Sequence, residues 1–269
     1  MSNFTPKVVL FVMVPSFATN PPTVVVAVNG ELASLKLMYF VLSNNWLPTK
    51  DPFVINPNSG VTIVQLAKPT AKMKIAQNPF CFGEFMLEDG KMGKIVTGFD
   101  AIETFHELGD DVDKYFEGTA MLEIVNAIDF STQIEQAQVF VLLLKCLKSL
   151  CFGSVQPLYV LDKFLIELFA IVGSPLNVDK CACCASKVFD KLWIDYKDGS
   201  LVCSGCKGWG CEELSTTTLS ALKVIKNTDL EKLSTVKLAQ ESENGLLRVL
   251  VRNFDARFER KLKMIGILS

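Results

Sequence analysis

The first third of the chain consists of short apolar runs separated by residues typical of turns. Residues 7–14 are rich in valine and are followed by Pro15, and residues 23–28 precede Asn29-Gly30, a pair that favours tight hairpins. Further strand candidates are 31–42, 61–66, 80–87 and 92–97, with a turn at Glu88-Asp89-Gly90. Five or six short strands with turns between them predict a small β-barrel over residues 1–98.

The hydrophobic period changes at Asp100. From there on, apolar residues recur at the spacing of a helix face, and we expect a short helix over 100–107 with Asp100 as its cap. Longer helix candidates are 111–128, 134–151, 157–171, 215–226, 229–238 and 244–265. The sequence therefore predicts a helical bundle over residues 99–269, which makes the chain an α+β protein of two domains.

Two close pairs of cysteines interrupt the helical pattern. Cys181 and Cys184 are separated by two residues, and after eighteen further residues Cys203 and Cys206 repeat the spacing. Four thiolates in this arrangement suit a tetrahedral Zn²⁺ ion, and a closed set of four leaves no position for a substrate. Cys183 is an alternative to Cys184, and four core or disulfide-bonded cysteines are the alternative to a metal site. We prefer Cys184, whose spacing matches the second pair, and we predict a structural zinc.

The segment between the cysteine pairs predicts a β-hairpin. Apolar residues in 188–196 and at 201–202 flank the turn residues Asp198-Gly199. Two cysteine knuckles joined by a hairpin form the plan of a zinc ribbon, which we place as an insert over residues 179–213. Because so small an insert buries little core of its own, bound metal would contribute directly to its folding.

Composition narrows the class of protein. Hydrophobic residues make up 49% of the chain and the net charge is −2. No apolar run reaches the roughly 18 residues of a membrane-spanning helix. The run at 8–14 is at the short limit for a secretory signal, and nine cysteines with four in metal spacing suit a reducing compartment. We therefore expect a cytoplasmic location.

Residues for catalysis are scarce. His106 is the single histidine, which argues against zinc hydrolase sites and against a Ser-His-Asp triad. Neither the phosphate-binding pattern G-x-x-x-x-G-K-[ST] nor the dinucleotide pattern G-x-G-x-x-G occurs. We expect a protein that is not an enzyme; an enzyme with an unrecognised site is the alternative.

The balance of charge is basic at the two ends of the chain and acidic in the middle, from Glu84 to Glu135. All four arginines lie between 248 and 260. Because Arg248 and Arg252 are four residues apart, they share a face of the predicted last helix. The candidate DNA-binding residues are Arg248, Arg252, Arg257, Arg260, Lys261 and Lys263, with Lys36, Lys72 and Lys74 in the barrel. They predict an electrostatic patch for DNA if the fold brings the ends together; solvated helix faces are the alternative.

The order of barrel, bundle and four-cysteine insert resembles the RecO family of recombination mediators. Residues 95–108 (IVTGFDAIETFHEL), 113–128, 139–150 and 161–178 resemble helices of that family. Residues 198–203 (DGSLVC) resemble its approach to the second knuckle, and the tail 258–268 is similar to its basic last helix.

The resemblance implies an oligonucleotide/oligosaccharide-binding (OB) barrel followed by a bundle with structural zinc. It also implies binding of single- and double-stranded DNA, annealing of complementary strands, and help in loading RecA onto DNA coated by single-strand-binding protein. RecR and the C-terminal tail of that binding protein are the implied partners, and the nucleoid is the implied place of action during repair. A zinc-ribbon interaction or transcription module without annealing activity is the alternative.

Overall fold

The computed structural model describes residues 7–12, 23–27, 37–41, 64–66, 80–90, 93–260 and 262. The chain divides into two compact units. One consists of residues 1–110 with 130–140, and the other consists of residues 111–129 with 141–269. The proposed domain limits at residue 98 and at 179–213 stay predictions.

Six strands of the first unit form one sheet, with the order β3-β2-β1-β5-β6-β4. Neighbouring strands are antiparallel, except for the parallel pair of β4 and β6. The strands are β1 (Lys7–Val12), β2 (Thr23–Ala27), β3 (Leu37–Val41), β4 (Val64–Leu66), β5 (Cys81–Gly90) and β6 (Gly93–Glu103). The predicted strands are thus confirmed, although β5 and β6 are longer than the expected 80–87 and 92–97 and the other four are shorter. The turn expected at Glu88-Asp89-Gly90 is wrong, because these residues belong to β5. Closure into an OB barrel stays a prediction, and the Asn29-Gly30 turn lies outside the described residues.

The end of β6 corrects one prediction. The expected helix over 100–107 is wrong, because Asp100 pairs with Glu84 and strand β6 continues to Glu103. A short 3-10 helix, His106–Asp110, follows instead. Pairing with β5 satisfies the backbone groups of these residues, and this non-local contact overrides the local helix-capping signal of Asp100.

Five α-helices follow, and for at least three of them the sequence supplies a suitable first turn. The Asp111 side chain accepts from the Lys114 N–H, the Ser215 side chain accepts from the Thr218 N–H, and Pro157 is a first-turn residue. The helices are α1 (Val112–Asn126), α2 (Gln133–Phe152), α3 (Pro157–Ile171), α4 (Thr216–Asn227) and α5 (Gln240–Phe258). A 3-10 helix, Leu230–Thr235, takes the place of the helix expected over 229–238. Across the described residues, no helix is long and apolar enough to cross a membrane.

Helix α3 is the centre of the second unit. It packs against α1, α4 and α5, and ten of its side chains are buried. A helix that is apolar on nearly every side belongs inside a bundle. Phe169 of α3 stacks on Phe258 of α5 with ring centroids 6.5 Å apart. Phe169 is fully buried, and a buried side chain of this size contributes about 1.5–3 kcal/mol of hydrophobic stabilisation.

The last helix is shorter at its C-terminal end than its sequence suggests. We expected a helix over 244–265, but α5 ends at Phe258 because Glu259 adopts a left-handed conformation with φ of 51°. Arg260 therefore lies beyond the helix that carries Arg257, so these two candidate DNA-binding residues do not share one helix. Lys261 and Lys263 are outside the described residues.

The cysteine-rich insert contains the predicted hairpin and one additional strand. Strands β7 (Leu192–Asp195) and β8 (Ser200–Cys203) pair in the register Leu192↔Cys203, which confirms the hairpin. The unpredicted strand β9 (Glu212–Leu214) pairs with the other edge of β7. The Asn177 N–H donates to the Gly199 carbonyl at 3.0 Å, and this bond attaches the hairpin to the segment that follows α3.

Candidate functional site

The structure gathers the four cysteines of the two predicted pairs. The sulfur atoms of Cys181, Cys184, Cys203 and Cys206 all lie within 4.8 Å of one another. The sulfurs of Cys184 and Cys203 are 3.8 Å apart. Four sulfurs placed tetrahedrally about 2.3 Å from one zinc ion would be about 3.8 Å from each other. Cys183 is exposed and is not part of the group.

Tight backbone turns bring the members of each pair together. In the first knuckle, the Ala185 N–H donates to the Cys181 carbonyl at 3.0 Å, and Ala185 has a positive φ of 58°. In the second knuckle, the Cys206 N–H donates to the Cys203 carbonyl at 3.0 Å. The Ala182 N–H donates to the Leu201 carbonyl at 2.8 Å and joins the first knuckle to β8. The geometry therefore follows from two turns and one hairpin.

The electrostatics of the cluster favour a bound cation. Hydrogen bonding by the Cys184 backbone N–H is the main effect that lowers the pKa of Cys181 to about 6. Contact with the Cys203 side chain raises the pKa of Cys206 far above its usual range. Four adjacent sulfurs can all become thiolates only if a positive centre compensates their charge. The four cysteines could therefore hold a metal ion, and four soft ligands favour zinc.

Two arginines of α5 contact the ribbon and its connection to α3. Arg252 pairs with Glu212 of β9, and its guanidinium lies 5.0 Å from the ring centroid of Tyr196. Arg257 donates to the Ser174 carbonyl and lies 4.9 Å from the ring centroid of Phe169. Burial lowers the pKa of Arg257 below its usual value. These contacts give Arg257 a packing role within the second unit.

Gly199 allows Arg257 to reach this position, and we expect Gly199→Ala to destabilise the protein by about 1–3 kcal/mol. Gly199 has a φ of 61°, and an added Cβ would overlap both the Arg257 guanidinium and the Leu176 side chain. Gly173→Ala is the matched control, since Gly173 has a similar φ of 75° but open space around a Cβ. Thermal unfolding compares the two variants. Equal losses would show that backbone strain alone matters and that the contact with Arg257 does not.

The predicted DNA-binding residues differ in their surroundings. Arg248 is exposed on α5, one turn before Arg252. Arg252 is exposed but paired with Glu212, Arg257 is half-buried, and Arg260 is exposed beyond the helix. Lys36, Lys72 and Lys74 lie outside the described residues, as do Lys261 and Lys263. Of the α5 arginines, Arg248 is therefore the one best placed to reach a ligand.

A buried carboxylate cluster was not predicted from the sequence. Asp162 of α3 is 0% exposed, and within the described chain neither carboxylate oxygen has a hydrogen-bond partner. Burial, and then the charges of Glu117 and Glu243, raise the pKa of Asp162 well above its usual value. Glu243 is held by hydrogen bonds from Tyr159 and Gln156. The available signal was Asp162 itself, an acid within a helix whose residues are mostly apolar.

A helical bundle that carries a β-ribbon with four clustered cysteines defines the structural class of the second unit. Residues 109–264 match the family model for the C-terminal part of recombination protein O. This match covers more than half of the chain and includes both the helices and the ribbon. The chain therefore belongs to the recombination protein O (RecO) family.

Similar proteins extend the relationship beyond that region. The chain is 25% identical over 204 residues to a DNA repair protein RecO of Acetivibrio thermocellus, covering 75% of this chain and 81% of that protein. It is 24% identical over 206 residues to the protein of the same name from Pelotomaculum thermopropionicum, covering 76% and 79%. For the one from Clostridium perfringens, the identity is 23% over 208 residues, covering 75% and 89%.

Proposed function

We propose that this protein is a DNA repair and recombination mediator that binds single- and double-stranded DNA and anneals complementary strands. It assists the loading of RecA together with RecR, and it contacts the C-terminal tail of single-strand-binding protein. The observation that carries the proposal is the family match over 109–264, which spans the bundle and the ribbon. Relatives named DNA repair protein RecO support the same role.

The cysteine cluster has a structural part in this proposal. Cys181, Cys184, Cys203 and Cys206 would hold one Zn²⁺ per chain, and a four-thiolate shell has no open position for water or substrate. The metal would therefore hold the ribbon together. The proposed activity needs no covalent chemistry, since annealing requires only that two strands be bound close to each other. We accordingly propose that the protein is not an enzyme.

Arg248 provides the test of DNA binding. Each phosphate that a cation neutralises releases counterions, so affinity falls as salt rises. We expect Arg248→Glu to weaken binding to all DNA sequences alike and to flatten the plot of log affinity against log salt by about one unit. Adding Arg252→Glu should weaken binding further, and the loss of the pair with Glu212 makes thermal unfolding of the double variant a necessary check.

Lys237→Glu is the matched control, because it makes the same change of net charge at an exposed position before α5. Titration of a labelled oligonucleotide at several salt concentrations measures affinity and slope for each variant. A loss in Lys237→Glu equal to that in Arg248→Glu would show that only net charge matters and would contradict a binding surface on α5. Annealing of two complementary oligonucleotides then separates a mediator from an interaction module that merely binds DNA.

A further inference from the structure

A tryptophan that follows the second cysteine knuckle lies entirely in solvent. Trp209 has a relative exposure of 106%. It occupies a tight turn in which the Cys211 N–H donates to the Gly208 carbonyl at 3.5 Å. Gly210, the third residue of this turn, has a φ of 88°, as a type II turn requires. The turn thus displays the indole ring on the surface of the ribbon.

No described residue near the turn covers the ring, since Trp209 is fully exposed. An added Cβ at Gly208 or Gly210 would have no heavy atom of the described chain within 4 Å. A tryptophan elsewhere in a protein usually contributes hydrophobic stabilisation by burying a large surface. Trp209 buries almost none of its surface and so adds little hydrophobic stabilisation. Both faces of its indole ring are open to a flat ligand.

A fixed positive charge lies close to Trp209 in the sequence. Residues 203–211 (CSGCKGWGC) contain Lys207 and no acidic residue. The Lys207 ammonium lies 3.7 Å from the ring centroid of Trp193, so the indole of Trp193 in β7 holds the cation in place. Residues 203–211, which we call the knuckle tip, therefore combine an open aromatic ring with a cation two residues away in the sequence.

We propose that this knuckle tip, residues 203–211, binds single-stranded DNA, with Trp209 stacked on an unpaired base and Lys207 facing a nearby phosphate. The inference rests on the proposed function and assigns one contact within it. Base stacking on an aromatic side chain tolerates any sequence, because every base has a π face. A duplex would not use this contact, since its bases are already stacked on one another.

A protein partner fits the tip less well. Hot-spot tryptophans in protein interfaces are surrounded by neighbouring contacts that exclude water. The other residues of 203–211 are three glycines, three cysteines, a serine and a lysine, all of them small or polar, so they offer little apolar surface for a protein to cover. A single exposed ring beside a single cation matches the repeating unit of a nucleic acid strand, a base and a phosphate.

The test is a titration of labelled oligothymidine and of a labelled duplex with the full-length protein. We expect Trp209→Ala to weaken binding of oligothymidine about 5- to 150-fold, the range that corresponds to one stacked base. Trp209→Phe should keep most of the affinity, and duplex binding should not change. The salt slope should stay that of the unaltered protein, because the lost contact is uncharged.

Phe152→Ala is the matched control, since Phe152 is an aromatic residue of α2 that is 54% exposed. It should bind oligothymidine like the unaltered protein. A second measurement is the quenching of tryptophan emission by oligothymidine, which should be smaller in Trp209→Phe than in the unaltered protein. Bound metal and the melting temperature of each variant report whether the knuckle stays folded.

The outcomes separate this proposal from the proposed function. If Trp209→Ala binds oligothymidine normally while Arg248→Glu does not, the stacking contact is wrong and the DNA-binding function stands. Equal losses for single strand and duplex would also overturn stacking, because they would indicate a general effect on the surface. If the unaltered protein binds neither ligand, both proposals fail.

Discussion

Cys203→Ser is expected to abolish metal binding and to unfold the ribbon. Cys203 ends strand β8 and belongs to the group of four sulfurs. A serine hydroxyl is a poor ligand for zinc, and three remaining thiolates would leave the shell incomplete. The ribbon has only three strands of three or four residues each, so little buried surface remains to hold it without a metal.

The expected loss of stability is at least about 3 kcal/mol, because apparent binding free energies of zinc in small zinc-dependent domains are about 10–16 kcal/mol. Elemental analysis should find one zinc per chain in the unaltered protein and almost none in Cys203→Ser. Limited proteolysis should cut the variant between 181 and 214 while leaving the helices resistant, and solubility should fall as apolar ribbon residues become exposed.

Cys183→Ser is the control for this prediction. Cys183 is exposed, adjacent to Cys184, and outside the group of four sulfurs. Its replacement should change neither zinc content nor melting temperature. Loss of zinc in Cys183→Ser would assign the first ligand pair to Cys181 and Cys183. Purified protein that contains no metal under conditions that retain zinc, or that contains a disulfide between the knuckles, would reject the metal site itself.

Glu117→Gln is expected to stabilise the protein at neutral and higher pH. Glu117 of α1 is 4% exposed, and burial, followed by the charges of Asp113 and Asp111, raises its pKa from 4.5 to about 7. A shift of this size corresponds to no more than about 3 kcal/mol, at 1.36 kcal/mol for each pKa unit. Glutamine has a similar shape and no proton to release, so it avoids this loss.

The direction of the pH dependence follows from the raised pKa. Below about pH 4.5 Glu117 is protonated in both the folded and the unfolded protein, and its ionisation does not affect stability. Between about 4.5 and 7 the unfolded chain releases the proton while the folded protein keeps it, so stability falls as pH rises. Above about pH 7 the loss is complete. Asp162, whose pKa is raised by burial and by Glu117 and Glu243, acts in the same direction.

Melting temperatures of the variant and of the unaltered protein should be compared at each pH from 5.5 to 8.5, because acid also removes zinc from thiolates. The advantage of Glu117→Gln should grow up to about pH 7 and then stay constant. Glu241→Gln, an exposed carboxyl on α5, is the control and should show no such trend. An advantage that is the same at all pH values would mean that Glu117 does not titrate in this range.

Sequence pattern predicted the features that depend on neighbouring residues, and it failed where pairing with a distant strand decides the structure. Cysteine spacing and the Asp198-Gly199 turn predicted the hairpin that the structure contains, because both are local signals. The helix candidates 111–128 and 215–226 are also confirmed, and in both the structure shows a local cap, since Asp111 and Ser215 each accept a backbone N–H of the first turn. The helix predicted to start at Asp100 was wrong for the opposite reason. Asp100 pairs with β5, a strand that starts nineteen residues earlier, and this non-local pairing overrides the local signal for a helix cap.

By itself, the sequence determined the strand-rich start, the helical remainder, the positions of most helices and the spacing of the cysteine pairs. These features depend on hydrophobic period and on residues near one another in the chain. The tertiary structure was needed to choose Cys184 over Cys183 as a member of the cluster and to show that Arg252 pairs with the ribbon. It was also needed to show that the charges of Glu117 and Glu243 act on the buried Asp162. It also decided that Trp209 points into solvent while Trp193 lies under Lys207. The physical reason is that burial and charge neighbours arise from packing between distant segments, which a one-dimensional pattern does not specify.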